Sequence, residues 1–228
     1  MNDPERIARA LRDFGLGEED LHAWQVSALP DGAFDDWLTD RVARRPAGRR
    51  AREVYGAEDV HDFARRAILD AIALAPGDRL LDIGCGGGLL LRDALRLGAA
   101  ATGLDHSEDM VSLARERAPG AEIVLGTAEQ LPFADGSFTA VAMSVVFFFL
   151  PDPVAVLREC RRVLVPGGRV AIYTTSPELR GTPAAPEPVA SRGRFYEDEE
   201  LVELARLAGF VKCAVVNDHG GQLLTAIK

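Results

Sequence analysis

The sequence has few cysteines, no long apolar run and a shortage of positive charge. Its three cysteines, Cys85, Cys160 and Cys213, show neither CxxC nor mixed Cys/His spacing, which argues against a disulfide framework or a zinc site. No apolar run approaches the roughly 20 residues of a membrane span. The first residues, MNDPERIARALRDF, lack the apolar core of a signal peptide. We therefore expect a cytoplasmic protein that holds no metal and enters no membrane.

The charge balance bears on the kind of partner. Lys and Arg number 26 against 35 Asp and Glu, so the formal net charge is −9. Such a field repels phosphate backbones and anionic lipid surfaces, so we expect a small-molecule substrate rather than nucleic acid or a membrane. The 228 residues, 47% of them hydrophobic, are enough for one well-buried core. The sequence does not distinguish a monomer from a homodimer.

A glycine loop stands out in residues 79–105, RLLDIGCGGGLLLRDALRLGAAATGLD. No Gly-Lys-Ser/Thr follows it, which excludes a P-loop, and a dinucleotide fingerprint would need glycine where Leu89 stands. The order of apolar run, glycines, amphipathic stretch and second apolar run predicts a strand, a loop, a helix and a strand. A carboxylate about twenty residues after the glycines suits a ribose diol. The unit therefore predicts a nucleoside-bearing cofactor.

Strand-like and helix-like segments alternate from about residue 60 onward, which predicts a doubly wound α/β fold with a parallel sheet. Near the C-terminus, two apolar runs at 210–216 and 223–228 are joined by only five residues. That connection is too short for a helical crossover, so these two strands are predicted to be antiparallel neighbours. The other strand-like runs are at roughly 79–83, 100–104, 121–125, 138–146 and 169–174.

The pattern Asp82-x-Gly84-x-Gly86-x-Gly88 resembles the first motif of the class I S-adenosylmethionine-dependent methyltransferases. Residues 126–141, GTAEQLPFADGSFTAV, resemble the adenine-binding block of the small-molecule members, and residues 149–174 resemble their fourth-strand exit, helix and Pro-Gly-Gly turn. The resemblance implies a Rossmann-like, mostly parallel seven-stranded sheet whose last strand is inserted antiparallel beside the fifth. It also implies S-adenosylmethionine as the cofactor and S-adenosylhomocysteine as its product.

The resemblance also implies roles for individual residues. The loop glycines would pass under the methionyl part of the cofactor, Asp82 would orient the loop and the cofactor amino group, and Asp105 would bind the ribose hydroxyls. The backbone N–H of Ala128 would meet adenine, while Thr127 stands where relatives commonly carry Asp. The residues expected at the cofactor are Asp82, Gly84, Gly86, Gly88, Asp105, His106, Met110, Thr127, Ala128, Glu129 and Ser144.

The acceptor side departs from the family pattern. Many relatives carry histidines where this chain has Phe147 and Phe148, so we expect an aromatic acceptor pocket, with Tyr55 and Tyr196 as further contacts. The histidines are His22, His61, His106 and His219, and only His106 lies within a motif, so no catalytic base is assigned. Two hypotheses remain: methyl transfer to a small-molecule acceptor, or a non-catalytic module that senses S-adenosylmethionine or regulates a partner.

Two regions outside the motifs bear on substrate choice. Residues 1–59 are predicted to form an aromatic-rich helical segment that either roofs the pocket, packs on the sheet as an appendage or meets a second copy. Residues 60–228 are predicted to form the methyltransferase domain. Within it, 176–196 begins with a stretch that has four prolines and no apolar period, which predicts a mobile lid after the fifth strand.

Overall fold

The computed structural model describes residues 4–228, so residues 1–3 of the predicted N-terminal segment lie outside the described part. The segment is helical, as predicted. Between its third and fourth helices runs one turn of π-helix, Asp40–Arg44, and a 3₁₀ turn, Asp31–Ala33, precedes the third. The helices are α1 (Pro4–Asp13), α2 (Glu18–Val26), α3 (Phe34–Thr39) and α4 (Gly48–Gly56).

The N-terminal helices enclose a small core of their own. Trp24 packs its ring edge-on against Phe34 with centroids 5.1 Å apart, and Leu38 is fully buried beside them. One charged group lies among these apolar side chains: Asp20 is 2% exposed. It accepts the Gly17 backbone N–H at 3.1 Å and pairs with Arg41 at 2.7 Å. This pair ties the start of α2 to the π-helical turn.

The rest of the chain forms a seven-stranded sheet with the order β3-β2-β1-β4-β5-β7-β6 and with helices on both faces, which confirms the predicted fold class. The elements in chain order are α5 (Asp62–Ile72), β1 (Arg79–Ile83), α6 (Leu89–Arg96), β2 (Ala100–Asp105), α7 (Glu108–Arg117), β3 (Glu122–Leu125), β4 (Phe138–Ser144), α8 (Pro153–Val163), β5 (Leu164–Thr175), α9 (Val189–Arg192), α10 (Asp198–Leu207), β6 (Val211–Asp218) and β7 (Gly221–Ile227).

The last strand, β7, lies between β5 and β6 and runs antiparallel to both, as the resemblance implied. The hairpin turns through His219 and Gly220, whose φ angles of 49° and 73° suit a two-residue turn of the type that matches strand twist. Burial explains why β7 lies inside the sheet and β6 lies at its edge. Residues 221–224 and Ala226 are buried, as expected of an inner strand, whereas β6 is largely exposed and forms the edge.

The fifth strand is longer than predicted because the Pro-Gly-Gly segment belongs to it. Pairing with β4 runs from Phe138 with Leu164 directly to Ala140 with Arg169, so the intervening residues make an irregular excursion within the strand. Gly167, with φ of 77°, allows that excursion. Among residues 4–228, no helix has both the length and the apolar character needed to cross a membrane.

Asp20→Ala should destabilise the N-terminal segment by about 2–4 kcal/mol, because it leaves Arg41 half-buried without its partner and the Gly17 N–H without an acceptor. Urea unfolding followed by the fluorescence of Trp24 and Trp37 measures this. Asp40→Ala is the matched control: Asp40 pairs with Arg44 at 2.7 Å but is 52% exposed. We expect it to cost less than about 1 kcal/mol, and equal effects of the two variants would contradict the assignment.

Candidate active site

The site lies where the strand order reverses. Strands β1 and β4 are neighbours, and the chain winds away from them in opposite directions, which opens a crevice at their carboxyl ends. A cavity of about 1070 Å³ occupies this position, lined by the N-terminal segment, by loop residues 84–87 and by the segment that follows β5. Ligand pockets are typically about 300–1,000 Å³, so this cavity has room for a cofactor together with a small acceptor.

Three loop glycines adopt left-handed backbone conformations. The φ angles of Gly84, Gly86 and Gly88 are 71°, 50° and 79°. A Cβ atom at Gly84 would lie 2.4 Å from Val146, and one at Gly88 would lie 3.0 Å from the Ala114 backbone. Both the conformation and the close approach to the segment after β4 and to α7 therefore require glycine at these positions. Gly84 and Gly86 line the cavity, whereas Gly88 does not.

Asp105 ends β2 and is fixed by the loop opposite. One carboxyl oxygen accepts the Gly86 N–H and the other accepts the Ser107 N–H, both at 2.9 Å. The side chain is 7% exposed; burial raises the pKa of this carboxyl, while the two N–H donors act in the opposite direction. Each oxygen retains a free lone pair. The carboxyl can therefore accept two further hydrogen bonds, such as those of a diol.

Asp82 presents a second carboxyl from β1 and lines the same cavity. It is 2% exposed, and its Oδ1 is buried without a hydrogen-bond partner among the described residues. Burial, with a smaller contribution from the nearby Asp105 carboxyl, raises the pKa of Asp82 to about 8. An unsatisfied buried oxygen is costly unless a ligand donor or cation meets it. This orphaned oxygen fits the amino group that the resemblance assigned to it.

His106 and Met110 both line the cavity, and their predicted contacts with the cofactor stay a prediction. His106 Nε2 contacts the Arg44 carbonyl, so this imidazole joins the N-terminal segment to the end of β2. Met110 lines the cavity but is fully buried in a small cluster with Ala51, Leu113 and Tyr55. Met110 therefore belongs to the hydrophobic core and also forms part of the cavity wall.

The predicted adenine block reaches the cavity in part. Ala128, Glu129 and Ser144 line it, and Ala128 is 8% exposed. Thr127 is exposed and is not among the lining residues. The structure therefore gives no support to Thr127 as a cofactor contact.

The three phenylalanines that follow β4 lie partly at the cavity and partly in the core. Phe148 lines the cavity beside Phe149, whose ring centroid is 4.0 Å away, and Phe149 was not among the predicted contacts. Phe147 and Tyr196 instead pack together at 5.5 Å in the main core and do not line the cavity. The 3₁₀ turn Phe147–Phe149 turns successive rings to different sides. The predicted acceptor contacts of Phe147 and Tyr196 therefore need correction.

An arginine that no sequence motif indicated links the backbone at Tyr55 to the glycine loop. Arg117 of α7 donates to the carbonyls of Tyr55 at 3.0 Å and Gly87 at 3.5 Å, and it also contacts the Gly56 carbonyl. Burial raises the pKa of Tyr55 to about 12, with the Asp105 carboxyl as the second cause. The Tyr55 phenol therefore stays neutral at physiological pH, and it donates a long hydrogen bond to the Val42 carbonyl at 3.4 Å.

The N-terminal segment covers the cofactor side of the cavity. Ser107 Oγ donates to the Pro46 carbonyl at 2.5 Å, and the Gly48 N–H donates to Asp109 at 2.8 Å. Both contacts attach the start of α4 to the junction of β2 and α7. The sequence left three hypotheses for this segment, and its position fits the one in which it forms a roof over the cavity.

The predicted lid, 176–196, borders the same cavity. It carries a 3₁₀ turn at Pro177–Leu179 and the short helix α9, with Val189 and Ala190 buried, so it has more regular structure than a featureless loop. Arg192 pairs with Asp36 of the N-terminal segment at 3.0 Å. The lid and the roof therefore meet above the cavity, while the mobility of the lid stays a prediction. Residues 4–228 contain no group of three or more His, Cys, Asp or Glu side chains arranged to hold a metal ion.

Part of this sequence is similar to known methyltransferases. Residues 81–172 match a family model described as a methyltransferase domain. The chain is 43% identical over 115 residues to the demethylmenaquinone methyltransferase of Beutenbergia cavernae, covering 50% of this chain and 48% of that protein. It is 40% identical over 114 residues to a ubiquinone biosynthesis O-methyltransferase of Xanthomonas oryzae, covering 48% and 46%. The chain spans about half the length of these curated relatives.

Solved structures share the fold over a larger part of the chain. A methyltransferase of Thermotoga maritima, described as a possible histamine N-methyltransferase, has a TM-score of 0.61 and 28% identity, covering 74% of this chain and 91% of that one. A methyltransferase of Aquifex aeolicus has a TM-score of 0.65 at 22% identity, covering 78% and 97%, and shows the fold alone. Residues 81–172 thus match a methyltransferase domain, and the surrounding sheet has the fold of solved methyltransferases.

The Asp82 carboxyl should make the ligand-free protein less stable as the pH rises. Its pKa is about 8 in the folded state and about 3.9 when unfolded. The folded state therefore binds the extra proton between these values, and stability is lost as pH rises toward 8. Asp82→Asn removes this dependence, so its stability relative to wild type should increase from pH 5 to pH 8.

Urea midpoints measured at several pH values test this, with the exposed Asp70→Asn as the control for general charge effects. A stability difference between Asp82→Asn and wild type that does not change with pH would contradict the shifted pKa.

Proposed function

We propose that this protein transfers a methyl group from S-adenosylmethionine to a small-molecule acceptor. The observation that carries the proposal is the pair of buried carboxyls, Asp82 and Asp105, on either side of a glycine loop within one large cavity. One carboxyl has an orphaned oxygen for an ammonium, and the other has free lone pairs for a diol. A methionyl amino group and a ribose offer these two kinds of donor.

The residues present fit the cofactor at three points. Asp82 would hold the amino group, the backbone of residues 84–87 would accommodate the methionyl chain, and Asp105 would hold the ribose. Ala128 and Glu129 border the cavity where adenine would lie, and Met110 forms part of its wall. When bound, the cofactor would supply a methyl group already activated on a sulfonium sulfur.

The protein's own contribution is to position the acceptor and exclude water. Alignment of the reacting groups accounts for a large part of rate enhancement when the donor is already activated. The roof and the predicted lid border the cavity, and the rings of Phe148 and Phe149 give it apolar surface at the β4 exit. Aromatic faces also attract a cationic centre, which favours the charged donor over water in this position.

The acceptor that fits best is an aromatic ring with a hydroxyl group. The cavity walls offer aromatic surface at Phe148, Phe149 and Tyr55. Two matched relatives are named for demethylmenaquinone and for O-methylation in ubiquinone biosynthesis, which supports a ring acceptor. A cytoplasmic location belongs to the same proposal, since all three cysteines are free thiols, as a reducing compartment keeps them.

Asp105→Ala should weaken S-adenosylhomocysteine binding by at least about 100-fold, since hydrogen bonds to charged groups contribute about 1.5–3 kcal/mol each and two would be lost. Isothermal titration calorimetry measures the affinity. Asp70→Ala, an exposed carboxylate on α5, serves as the control and should bind like wild type.

Circular dichroism would verify that Asp105→Ala still folds, because Asp105 also holds the Gly86 and Ser107 N–H groups. Wild-type protein that binds neither S-adenosylmethionine nor S-adenosylhomocysteine would overturn the proposed function. Undiminished binding by Asp105→Ala would overturn the ribose assignment.

A further inference from the structure

We propose that His61 is the general base that removes the hydroxyl proton of a phenolic acceptor. The inference rests on the proposed function and deepens it. Sequence reasoning set His61 aside because it lies in no motif. The structure places it directly before α5, in the wall of the cavity that also contains Asp82, Gly84 and Ser144.

Contacts with neighbouring aromatic rings fix the position of the His61 side chain. Its imidazole packs edge-on against Tyr55, with centroids 6.3 Å apart, and against Phe63 on the other side, at 6.4 Å. Tyr55 in turn lies beside the glycine loop, since a Cβ atom at Gly86 would be 3.7 Å from its ring. Phe63 packs on Tyr173, which is paired with Ser144 at the end of β4. His61 therefore stands between the glycine loop and the β4 exit.

The imidazole of His61 has no hydrogen-bond partner among the described residues. Its backbone carbonyl accepts the Arg65 N–H at 3.0 Å, but no protein group meets its ring nitrogens. The other histidine at the cavity, His106, already contacts the Arg44 carbonyl. His61 is thus the histidine of the cavity wall whose ring remains open to a ligand.

Two carboxylates close to His61 in the sequence are paired with arginines. Asp62 pairs with Arg65 at 2.5 Å, and Glu58 pairs with Arg92 at 2.7 Å. Across the ring of Phe63, on the β6–β7 hairpin, His219 pairs with Asp218 at 2.6 Å. Burial lowers the pKa of His61 below its ordinary value. The imidazole is therefore neutral near pH 7, the form that accepts a proton.

The backbone of His61 lies in the left-handed region, with φ of 49°. Non-glycine residues occupy this region infrequently, and such conformations cluster at functional sites. The conformation also guides the choice of variants. Asn tolerates left-handed φ better than most residues and Gly adopts it freely, so His61→Asn and His61→Gly preserve the local fold.

The proposed step is a proton transfer coupled to methylation. One ring nitrogen takes the hydroxyl proton, and the O–H electron pair stays on the acceptor oxygen, which forms the new bond to the methyl carbon. The electron pair of the broken carbon–sulfur bond remains on sulfur. The imidazolium then releases its proton to solvent, so the step needs no additional reactant.

The test compares two phenols of different acidity with S-adenosylmethionine as donor at pH 8. Phenol is neutral at this pH and needs a base, whereas 4-nitrophenol is already largely ionised. We expect His61→Asn to lower kcat with phenol by about 100-fold or more, and with 4-nitrophenol by less than about threefold. Added imidazole should restore part of the phenol turnover of His61→Gly. His22→Asn, an exposed histidine on α2, should behave like wild type.

The outcomes separate this inference from the function on which it rests. Equal losses with the two phenols, unchanged phenol turnover in His61→Asn, or no response of His61→Gly to imidazole would each overturn His61 as the base. A wild type that binds S-adenosylhomocysteine by calorimetry but methylates neither phenol would also overturn it, while leaving the cofactor site intact. Failure of the wild type to bind the cofactor would instead overturn the proposed function.

Discussion

Two carboxyl groups buried at the ends of neighbouring strands impose the main constraint on this structure. Asp82 lies one residue before the end of β1 and Asp105 ends the neighbouring β2, and both are almost fully withdrawn from solvent. Their burial raises the pKa of each carboxyl, so the protein without a ligand disfavours the charged form at these two positions. The loop glycines, the Ser107 N–H and the roof are arranged around this pair.

The N-terminal segment and the lid give the cavity its shape above these carboxyls. Arg117 holds the end of α4 to the glycine loop, and Arg192 of α9 pairs with Asp36 of the roof. These contacts join segments that are far apart in the sequence. The same two segments therefore border both the glycine loop and the proposed acceptor pocket. The histidine that lies between them, His61, is held by aromatic packing rather than by hydrogen bonds, which leaves its ring free.

Sequence reasoning reached the sheet and the cofactor motif because both depend on local patterns. The glycine spacing, the carboxylate after β2 and the short link before β7 are each determined within about thirty residues. The acceptor side depends instead on which ring of Phe147–Phe149 turns inward, and a local aromatic run does not decide this. The contribution of His61 likewise depends on Tyr55 and Phe63 packing around it, and the bridge made by Arg117 joins helices separated by some sixty residues. These long-range contacts carry no sequence signature.

The Asp82 and Asp105 carboxyls together are proposed to form the cofactor site. A crystal structure of the protein grown with S-adenosylhomocysteine would test this. We expect the ligand amino group within hydrogen-bond distance of Asp82 Oδ1 and both ribose hydroxyls on the Asp105 carboxyl. A ligand bound elsewhere in the cavity, with Asp82 Oδ1 still lacking a partner, would contradict it.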